Sequence, residues 1–233
     1  MKLSIIIPVY NEAATIGAVV RRVLDVDVGC GEKELIVVDD GSSDGTCGEL
    51  DLLGDPRVRV IRQPRNMGKG AAVAEALKHF TGDAVVVQDA DVEYDPADLK
   101  EVLRPLVEGR ADVVYGSRFS RGRSDGETLV HYAGNRILTG ISNVLTGLRL
   151  TDMETCYKMF GSEVARRLDI EEKRFGIEPE ITAKVASMGV RVAEVPIGYR
   201  ARSYAEGKKI GGRDALRALY VMGKYWVKLK AKR

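Results

Sequence analysis

The chain has 233 residues, with 36 lysines and arginines against 34 aspartates and glutamates, and a formal net charge of +2. This length allows one domain with a large core, and the balance of charge gives no indication of nucleic-acid binding. Three cysteines without a CxxC motif argue against a disulfide framework and a zinc site, and they favour a reducing, cytoplasmic location. Apolar runs are too short for a signal peptide or for the roughly 20 residues of a membrane-spanning helix.

Hydrophobic periodicity predicts alternating strands and helices over the first half of the chain. The predicted strands cover residues 3–9, 34–38, 58–62, 84–88 and 113–116. The predicted helices cover residues 11–24, 43–53, 68–80 and 96–109. This alternation is typical of an α/β fold with a mostly parallel central sheet flanked by helices. The less regular second half has predicted helices at residues 135–146, 174–188 and 214–229 and a strand at 190–199.

Polar motifs directly follow four of the predicted strands. Asn11, Asp40, Asn66 and Asp91 each lie just beyond a strand end. Ligands of parallel sheets bind beyond the carboxyl ends of the strands. We therefore expect these four motifs to share one ligand site.

Asp89 and Asp91 end the fourth predicted strand as Asp-Ala-Asp. Residues two apart on a strand point to the same face, roughly 6 to 7 Å apart. Two carboxylates placed in this way repel each other, and Mg²⁺ or Mn²⁺, which prefer oxygen ligands, would relieve the repulsion. An isolated pattern of this kind is also typical of a solvated acidic turn, so the other motifs have to decide between the two interpretations.

The other three motifs each have a structural and a functional interpretation. Residues 8–12 (PVYNE) can be a helix-capping turn, or their aromatic ring and carboxylate can hold a base and a ribose. Asp39 and Asp40 precede a Gly-Ser-Ser-Asp turn, and paired carboxylates there favour an acceptor for ribose or base donors. Glycines in residues 65–70 (RNMGKG) allow a close backbone approach at a helix start, although the Walker A spacing is absent.

The four motifs PVYNE, VVDDGSSDGT, RNMGKG and QDADVEYDP resemble, in order and spacing, those of family 2 glycosyltransferases with the GT-A fold. Residues 116–119, 151–158, 199–203 and 206–210 resemble the dolichyl- and polyprenyl-phosphate sugar synthases of that family. The resemblance covers nearly the whole chain. It implies a Rossmann-like GT-A fold, a nucleoside-diphosphate sugar donor such as GDP-mannose or UDP-glucose, Mg²⁺ or Mn²⁺, and inversion at the anomeric carbon.

The resemblance also implies a division of the chain and roles for single residues. Residues 1–117 would form the nucleotide-sugar half and residues 118–233 the acceptor half of one GT-A domain. Donor contacts are expected from Pro8, Tyr10, Glu12, Asp40, Lys69 and Asp89. Metal ligands are expected from Asp89, Asp91 and Glu93, with Asp91 as the direct and catalytically important ligand.

The acceptor half supplies cations that suit a phosphate. A lipid phosphate is mostly ionised near neutral pH, so it needs cations more than it needs a general base. The expected phosphate contacts are Arg118, Arg136, Arg202 and Lys208, although any one of them is also typical of a solvated surface. Asp152 is the expected base or acceptor-orienting group, with Glu154 in support.

Several alternatives stay open on the sequence alone. The aromatic and basic helix at residues 214–229 favours either peripheral contact with the cytoplasmic face of an anionic membrane, or packing in the core or a dimer. The acceptor can be a soluble or glycan hydroxyl instead of a lipid phosphate. A nucleotidyltransferase or a non-catalytic sugar-nucleotide-binding module would share the α/β sheet, but residues 8–12 lack the glycine and cation of a triphosphate loop.

Overall fold

The computed structural model describes residues 1–120, 122, 127–201 and 212–230, without the side chains of residues 212–214 and 229. Arg202 and Lys208, both expected to bind phosphate, lie outside the described residues. Within the described ranges seven strands form one sheet: β1 Lys2–Val9, β2 Glu32–Asp39, β3 Val58–Arg62, β4 Ala84–Val87, β5 Val113–Ser117, β6 Lys158–Gly161 and β7 Val192–Pro196. The helices are α1 Ile16–Asp25, α2 Thr46–Asp51, α3 Lys69–Ala76, α4 Leu99–Val107 (preceded by a 3₁₀ turn, Pro96–Asp98), α5 Leu129–Thr146, α6 Ser162–Arg167, α7 Ile177–Met188 and α8 Gly212–Lys230.

The sheet is mostly parallel, which confirms the predicted α/β class. Its strand order is β3-β2-β1-β4-β6-β5-β7, and β6 runs antiparallel to both of its neighbours. The sequence did not predict β6, because four residues beginning with a lysine give no alternating pattern. β6 and β7 belong to the predicted acceptor half, yet they lie in the same sheet as the strands of the donor half.

The central strands are covered on both faces. Leu3, Ile5, Ile6 and Ile7 of β1 are all fully buried, as expected for a strand with helices on either side. α1 buries apolar residues with helical spacing and exposes its two arginines. α5 begins earlier than predicted, since the Thr128 side chain accepts the backbone N–H of His131 as a helix cap.

The last helix, α8, packs one face and exposes the other. Tyr225 is buried against α7 and donates its hydroxyl proton to Glu180 at 2.7 Å. Leu216 and Tyr220 lie on the outer face, 69% and 61% exposed. Core packing and an apolar outer surface therefore coexist on this helix. Among the residues that the structure describes, no helix is long and apolar enough to cross a membrane.

The chain before α7 lies directly against α3. A Cβ atom added at Gly70 would lie 1.8 Å from the carbonyl oxygen of Glu172, and one at Gly68 would lie 2.3 Å from that of Lys173. Gly68 also has a φ of 101°, which favours glycine. These two motif glycines are therefore required by backbone packing, whether or not a ligand also approaches them.

Gly70→Ala should destabilise the protein by about 2 to 4 kcal/mol, because the added methyl group overlaps a backbone carbonyl that cannot move independently. Gly140→Ala is a matched control, since Gly140 is also helical and nothing lies within 4 Å of its added Cβ. The control should stabilise the protein by about 0.5 to 1 kcal/mol through helix propensity. Urea unfolding of both variants measures the difference, and equal stabilities would contradict the packing argument.

Candidate functional site

The order of the strands reverses between β1 and β4, and the region beyond the carboxyl ends of these two strands is here called the crevice. The pairing of β1 with β4 ends at Ile6 and Val87, whereas its pairing with β2 continues to Val9 and Asp39. Pro8 lies beyond the last β4 pair, where a missing N–H is tolerated. Open α/β sheets bind their ligands at such a switch point, so the motifs around it are the candidate site.

The first two motifs are joined by hydrogen bonds between their loops. Asn11 has a φ of 54°; its backbone N–H donates to the Ser42 hydroxyl at 2.9 Å, and its side-chain oxygen accepts the N–H of Ser43 at 2.8 Å. These bonds position Tyr10 and Glu12, both half-buried, beside the crevice. The donor contacts of Pro8, Tyr10 and Glu12 stay predictions, whereas Asn11 has a structural role.

Asp40 connects the second motif to the third. It is buried, and its two carboxylate oxygens accept the backbone N–H groups of Met67 and Gly68, each at 2.7 Å. Asp40 therefore fastens the glycine loop to the end of β2. This structural function explains the carboxylate without a ligand, and a donor contact by Asp40 stays a prediction.

Lys69, at the start of α3, brings a cation into the crevice. Its Nζ lies 2.8 Å from Asp89 Oδ1 and 3.4 Å from Glu178 Oε1. Burial opposes the charge on Lys69, but the carboxylates around it prevail and hold its pKa well above the ordinary value. Two residues predicted to contact the donor, Lys69 and Asp89, thus lie together as an ion pair.

Glu178 joins this site from α7 and was missed by sequence reasoning. It accepts a hydrogen bond from Lys158, whose Nζ also donates to the carbonyl oxygen of Thr155. Lys158 is buried, with only 1% of its side chain exposed. An acidic residue in the first turn of a helix is commonplace, so no local pattern marks Glu178 as the partner of two distant lysines.

The predicted metal ligands have different hydrogen-bond and ion-pair partners. Asp91 accepts the backbone N–H of Glu93 at 3.0 Å, and Glu93 accepts the hydroxyl of Tyr199 at 3.0 Å. Burial and the nearby carboxylates of Glu93 and Asp91 raise the pKa of Tyr199. Asp89 instead pairs with Lys69, and the described residues hold no group of three or more candidate ligands.

Carboxylate oxygens of Asp91 and Glu93 still suit Mg²⁺ or Mn²⁺. Mg²⁺ is usually held by one or two protein carboxylates and completes its shell with water and substrate phosphates. The donor chemistry therefore fits the group, but the three-carboxylate set is not assembled, and Asp89 as a ligand stays a prediction.

Arg118 and Asp152 form a buried bidentate ion pair. The guanidinium donates through Nε to Asp152 Oδ2 at 2.6 Å and through Nη2 to Oδ1 at 2.8 Å. Asp152 is completely buried, and the Arg118 guanidinium lies 5.1 Å from the Phe119 ring centre and 5.0 Å from that of Tyr199. Both carboxylate oxygens thus accept a hydrogen bond from the same guanidinium, which fixes the orientation of Arg118.

Arg136 and Glu194 hold the backbone next to this pair. Arg136, exposed on α5, donates to the carbonyl oxygen of Thr151 at 3.0 Å. Glu194 accepts the backbone N–H groups of Thr151 and Asp152. Two of the four predicted phosphate-binding residues, Arg118 and Arg136, therefore meet at one segment of the chain.

Glu154 is a carboxylate whose pKa is raised by its surroundings. Burial, reinforced by the charge of Glu178, raises its pKa to about 7. Its Oε1 is buried and has no hydrogen-bond partner among the described residues. Buried polar atoms in proteins are usually hydrogen-bonded, so this one is a candidate for contact with a bound group.

Known proteins are similar to this chain in sequence and in fold. The model of the family described as glycosyl transferase family 2 matches residues 4–169. The undecaprenyl-phosphate mannosyltransferase of Micrococcus luteus is 31% identical over 225 residues, covering 91% of this chain and 89% of that protein. Glycosyltransferase AglJ of Haloferax volcanii is 34% identical over 199 residues, covering 85% of this chain, which spans 63% of the length of AglJ.

A solved structure shares the fold over nearly the whole chain. Glucosyl-3-phosphoglycerate synthase from Mycobacterium tuberculosis, crystallised with Mn²⁺, UDP and phosphoglyceric acid, superposes with a TM-score of 0.74. The alignment covers 97% of this chain and 78% of that one at 22% identity. This likeness confirms the predicted GT-A fold.

Glu154→Gln should stabilise the protein at high pH and change it little at low pH. A glutamate has an ordinary pKa of 4.5, whereas Glu154 in the folded state has one of about 7. Between these values the folded state keeps a proton that the unfolded chain has released, so the unfolding free energy of the native protein falls as pH rises. The advantage of the variant should therefore grow by up to about 3 kcal/mol between about pH 5 and pH 8.

Urea unfolding of both proteins across this range measures the effect. Glu163→Gln, the same chemical change at an exposed position of α6, is the control. A difference between native and Glu154→Gln that does not change with pH would contradict the inference that Glu154 is protonated in the folded protein.

Proposed function

Because the chain belongs to glycosyl transferase family 2, we propose that it transfers a hexose from a nucleoside-diphosphate sugar to a polyprenyl phosphate, with inversion at the anomeric carbon. GDP-mannose and UDP-glucose are the candidate donors. The relative from Micrococcus luteus, named for undecaprenyl phosphate and mannose, supports the lipid-phosphate acceptor. The crevice between β1 and β4, with Pro8, Tyr10 and Glu12 at its edge, would receive the nucleotide.

The observation that carries the acceptor proposal is the buried pair of Arg118 and Asp152. A hydroxyl acceptor needs a base, and Asp152 already accepts two hydrogen bonds from a guanidinium. A phosphate acceptor is ionised before it binds and needs an oriented cation. Arg118, aligned by Asp152 and the two aromatic rings, supplies one. Arg136 would add a second charge, and Arg202 and Lys208 stay proposed contacts.

Asp91 and Glu93 would hold the divalent metal. Asp89 would give up its ion pair with Lys69 and contact the donor ribose or the metal shell instead. A bound Mg²⁺ or Mn²⁺ supplies charge neutralisation on the diphosphate that leaves the sugar. Lys69, already in the crevice, would stabilise the same developing charge. The mycobacterial structure with Mn²⁺ and UDP shows that this fold accommodates both groups in that relative.

A lipid acceptor would be met at the cytoplasmic face of a membrane, where we propose that the protein binds peripherally. The outer face of α8 exposes Leu216, Tyr220 and Trp226, and the Lys230 ammonium lies 4.4 Å from the Trp226 ring centre. Apolar and aromatic side chains beside cations suit an anionic lipid surface.

A second candidate function is transfer to a hydroxyl of a soluble or glycan acceptor, and Glu154 favours it. A carboxyl group with a pKa of about 7 is well matched to general-base catalysis near neutral pH. The same group, while protonated, can instead donate a hydrogen bond to a phosphate oxygen. The two functions therefore differ in the protonation state of Glu154 that they require.

Asp152→Asn should lower kcat/KM for polyprenyl phosphate about tenfold to a hundredfold, because Arg118 loses its orienting charge while its own cation remains. Sugar transfer is measured with GDP-mannose and UDP-glucose, with Mg²⁺ or Mn²⁺, onto polyprenyl phosphate in anionic vesicles and onto soluble sugars. The same change at exposed Asp169, Asp169→Asn, is the control.

Two outcomes would contradict the phosphate acceptor: transfer to sugars alone, or near-total loss of transfer in Asp152→Asn. Failure of the protein to co-sediment with the vesicles would contradict the membrane contact.

The pH dependence separates the two functions by sign. Transfer to a phosphate should decline as pH rises above about 7, since ionised Glu154 repels the acceptor. Transfer to a hydroxyl should instead increase over the same range, since the base must be ionised. Measuring kcat/KM from about pH 6 to pH 9 distinguishes them. Glu154→Gln should abolish the decline in the first case, and in the second it should reduce the rate about 10²- to 10⁴-fold.

A further inference from the structure

Glu178 has no role in the reaction as described so far, yet it contacts one lysine of the predicted donor half and one of the predicted acceptor half. It lies in the first turn of α7, is buried, and its two oxygens reach different lysines. Oε1 lies 3.4 Å from Lys69, and Oε2 accepts a hydrogen bond from Lys158. A buried carboxylate between one buried ammonium group and one that is 16% exposed is a costly arrangement that a solvated surface pair would avoid.

Each lysine that contacts Glu178 also contacts a different part of the site. Lys69 holds Asp89 at 2.8 Å, on the donor side of the crevice. Lys158 donates to the carbonyl oxygen of Thr155, which directly follows Glu154 on the acceptor side. A displacement of the Glu178 carboxylate would therefore deprive both lysines of a shared partner at once.

We propose that Glu178 is a positioning residue of the transfer reaction, which holds Lys69 against Asp89 and Lys158 against the backbone beside Glu154. This inference rests on the proposed glycosyl transfer. Glu178 touches neither donor nor acceptor in this assignment, and it acts through the two lysines and through its own charge.

The charge of Glu178 also affects the proton on Glu154. Burial is the main cause that raises the pKa of Glu154, and the carboxylates of Glu178 and Asp152 add to it. The cations of Lys158 and Arg118 act in the opposite direction. These groups approach from α7, from β6 and from the loops after β5 and before β6. Removing the charge of Glu178 leaves two cations and one carboxylate around Glu154, so its pKa should fall.

Glu178→Gln tests the proposal, with Glu180→Gln as a matched control. Glu180 lies on the same helix and is also buried, but it accepts hydrogen bonds from Glu171, Glu172, Lys184 and Tyr225. It therefore supports the fold away from the reaction. Both substitutions remove one buried charge from α7, and only the first removes it from beside Glu154.

The readout is the titration of Glu154, followed by carbon-13 NMR of protein labelled at glutamate carboxyl groups and assigned with Glu154→Gln. The midpoint should move to lower pH in Glu178→Gln and stay in place in Glu180→Gln. Lys158→Met removes a cation and should move the midpoint the opposite way, which keeps the test decisive if one variant does not fold. An unchanged midpoint in Glu178→Gln, or an equal shift in Glu180→Gln, would overturn the proposal.

Kinetics supply the second readout. Glu178→Gln should lower kcat/KM about tenfold or more, and the pH limb that belongs to Glu154 should move in the direction of the NMR midpoint. In a protein that already carries Glu154→Gln, adding Glu178→Gln should not shift the pH dependence of kcat/KM any further. The NMR titration needs no substrate, so absence of sugar transfer in the native protein would overturn the proposed function while the titration still decides whether Glu178 controls Glu154.

Discussion

The arrangement of the site depends on one buried positive charge, the ammonium group of Lys158 at the start of β6. An unpaired charge inside a protein is strongly unfavourable, and breaking a buried pair by removing one partner costs about 3 to 5 kcal/mol. Glu178, on α7, is the carboxylate that pairs with Lys158, and its other oxygen forms an ion pair with Lys69. The first turn of α7 must therefore lie against the start of β6. Glu178, which lies in that turn, then contacts lysines from both the donor half and the acceptor half.

The direction of β6 explains why Lys158 lies there. A strand that runs antiparallel to its neighbours begins at the edge where they end. The residues just before β6, including Asp152 and Glu154, are thereby delivered to the carboxyl ends of β4 and β5. One reversed strand thus brings the acceptor segment to the donor motifs. α7 also carries α8 through the hydrogen bond between Glu180 and Tyr225.

The sequence predicted the features that have local patterns. The apolar strands, the polar residues at their ends and the GT-A class all follow from periodicity, from motif spacing and from family resemblance. The pairing of Arg118 with Asp152 and the bridging by Glu178 could not be predicted, because each joins residues far apart in the chain and each partner alone has the pattern of an ordinary charged residue. Asp40 was expected to hold a ligand, whereas its observed hydrogen bonds hold a loop. Strand-end carboxylates satisfy backbone groups as readily as they bind substrates, and the motif does not distinguish the two.

The contact between Gly70 and the carbonyl of Glu172 affects how mutational scans of such a chain are interpreted. A screen that scores only product formation would record every substitution at Gly70 as damaging and would place this residue among those that recognise the donor. The loss would instead arise from a smaller population of folded molecules, with an unaltered affinity in those that remain. Abundance and activity therefore have to be scored separately before glycines in this motif are counted as evidence of phosphate recognition.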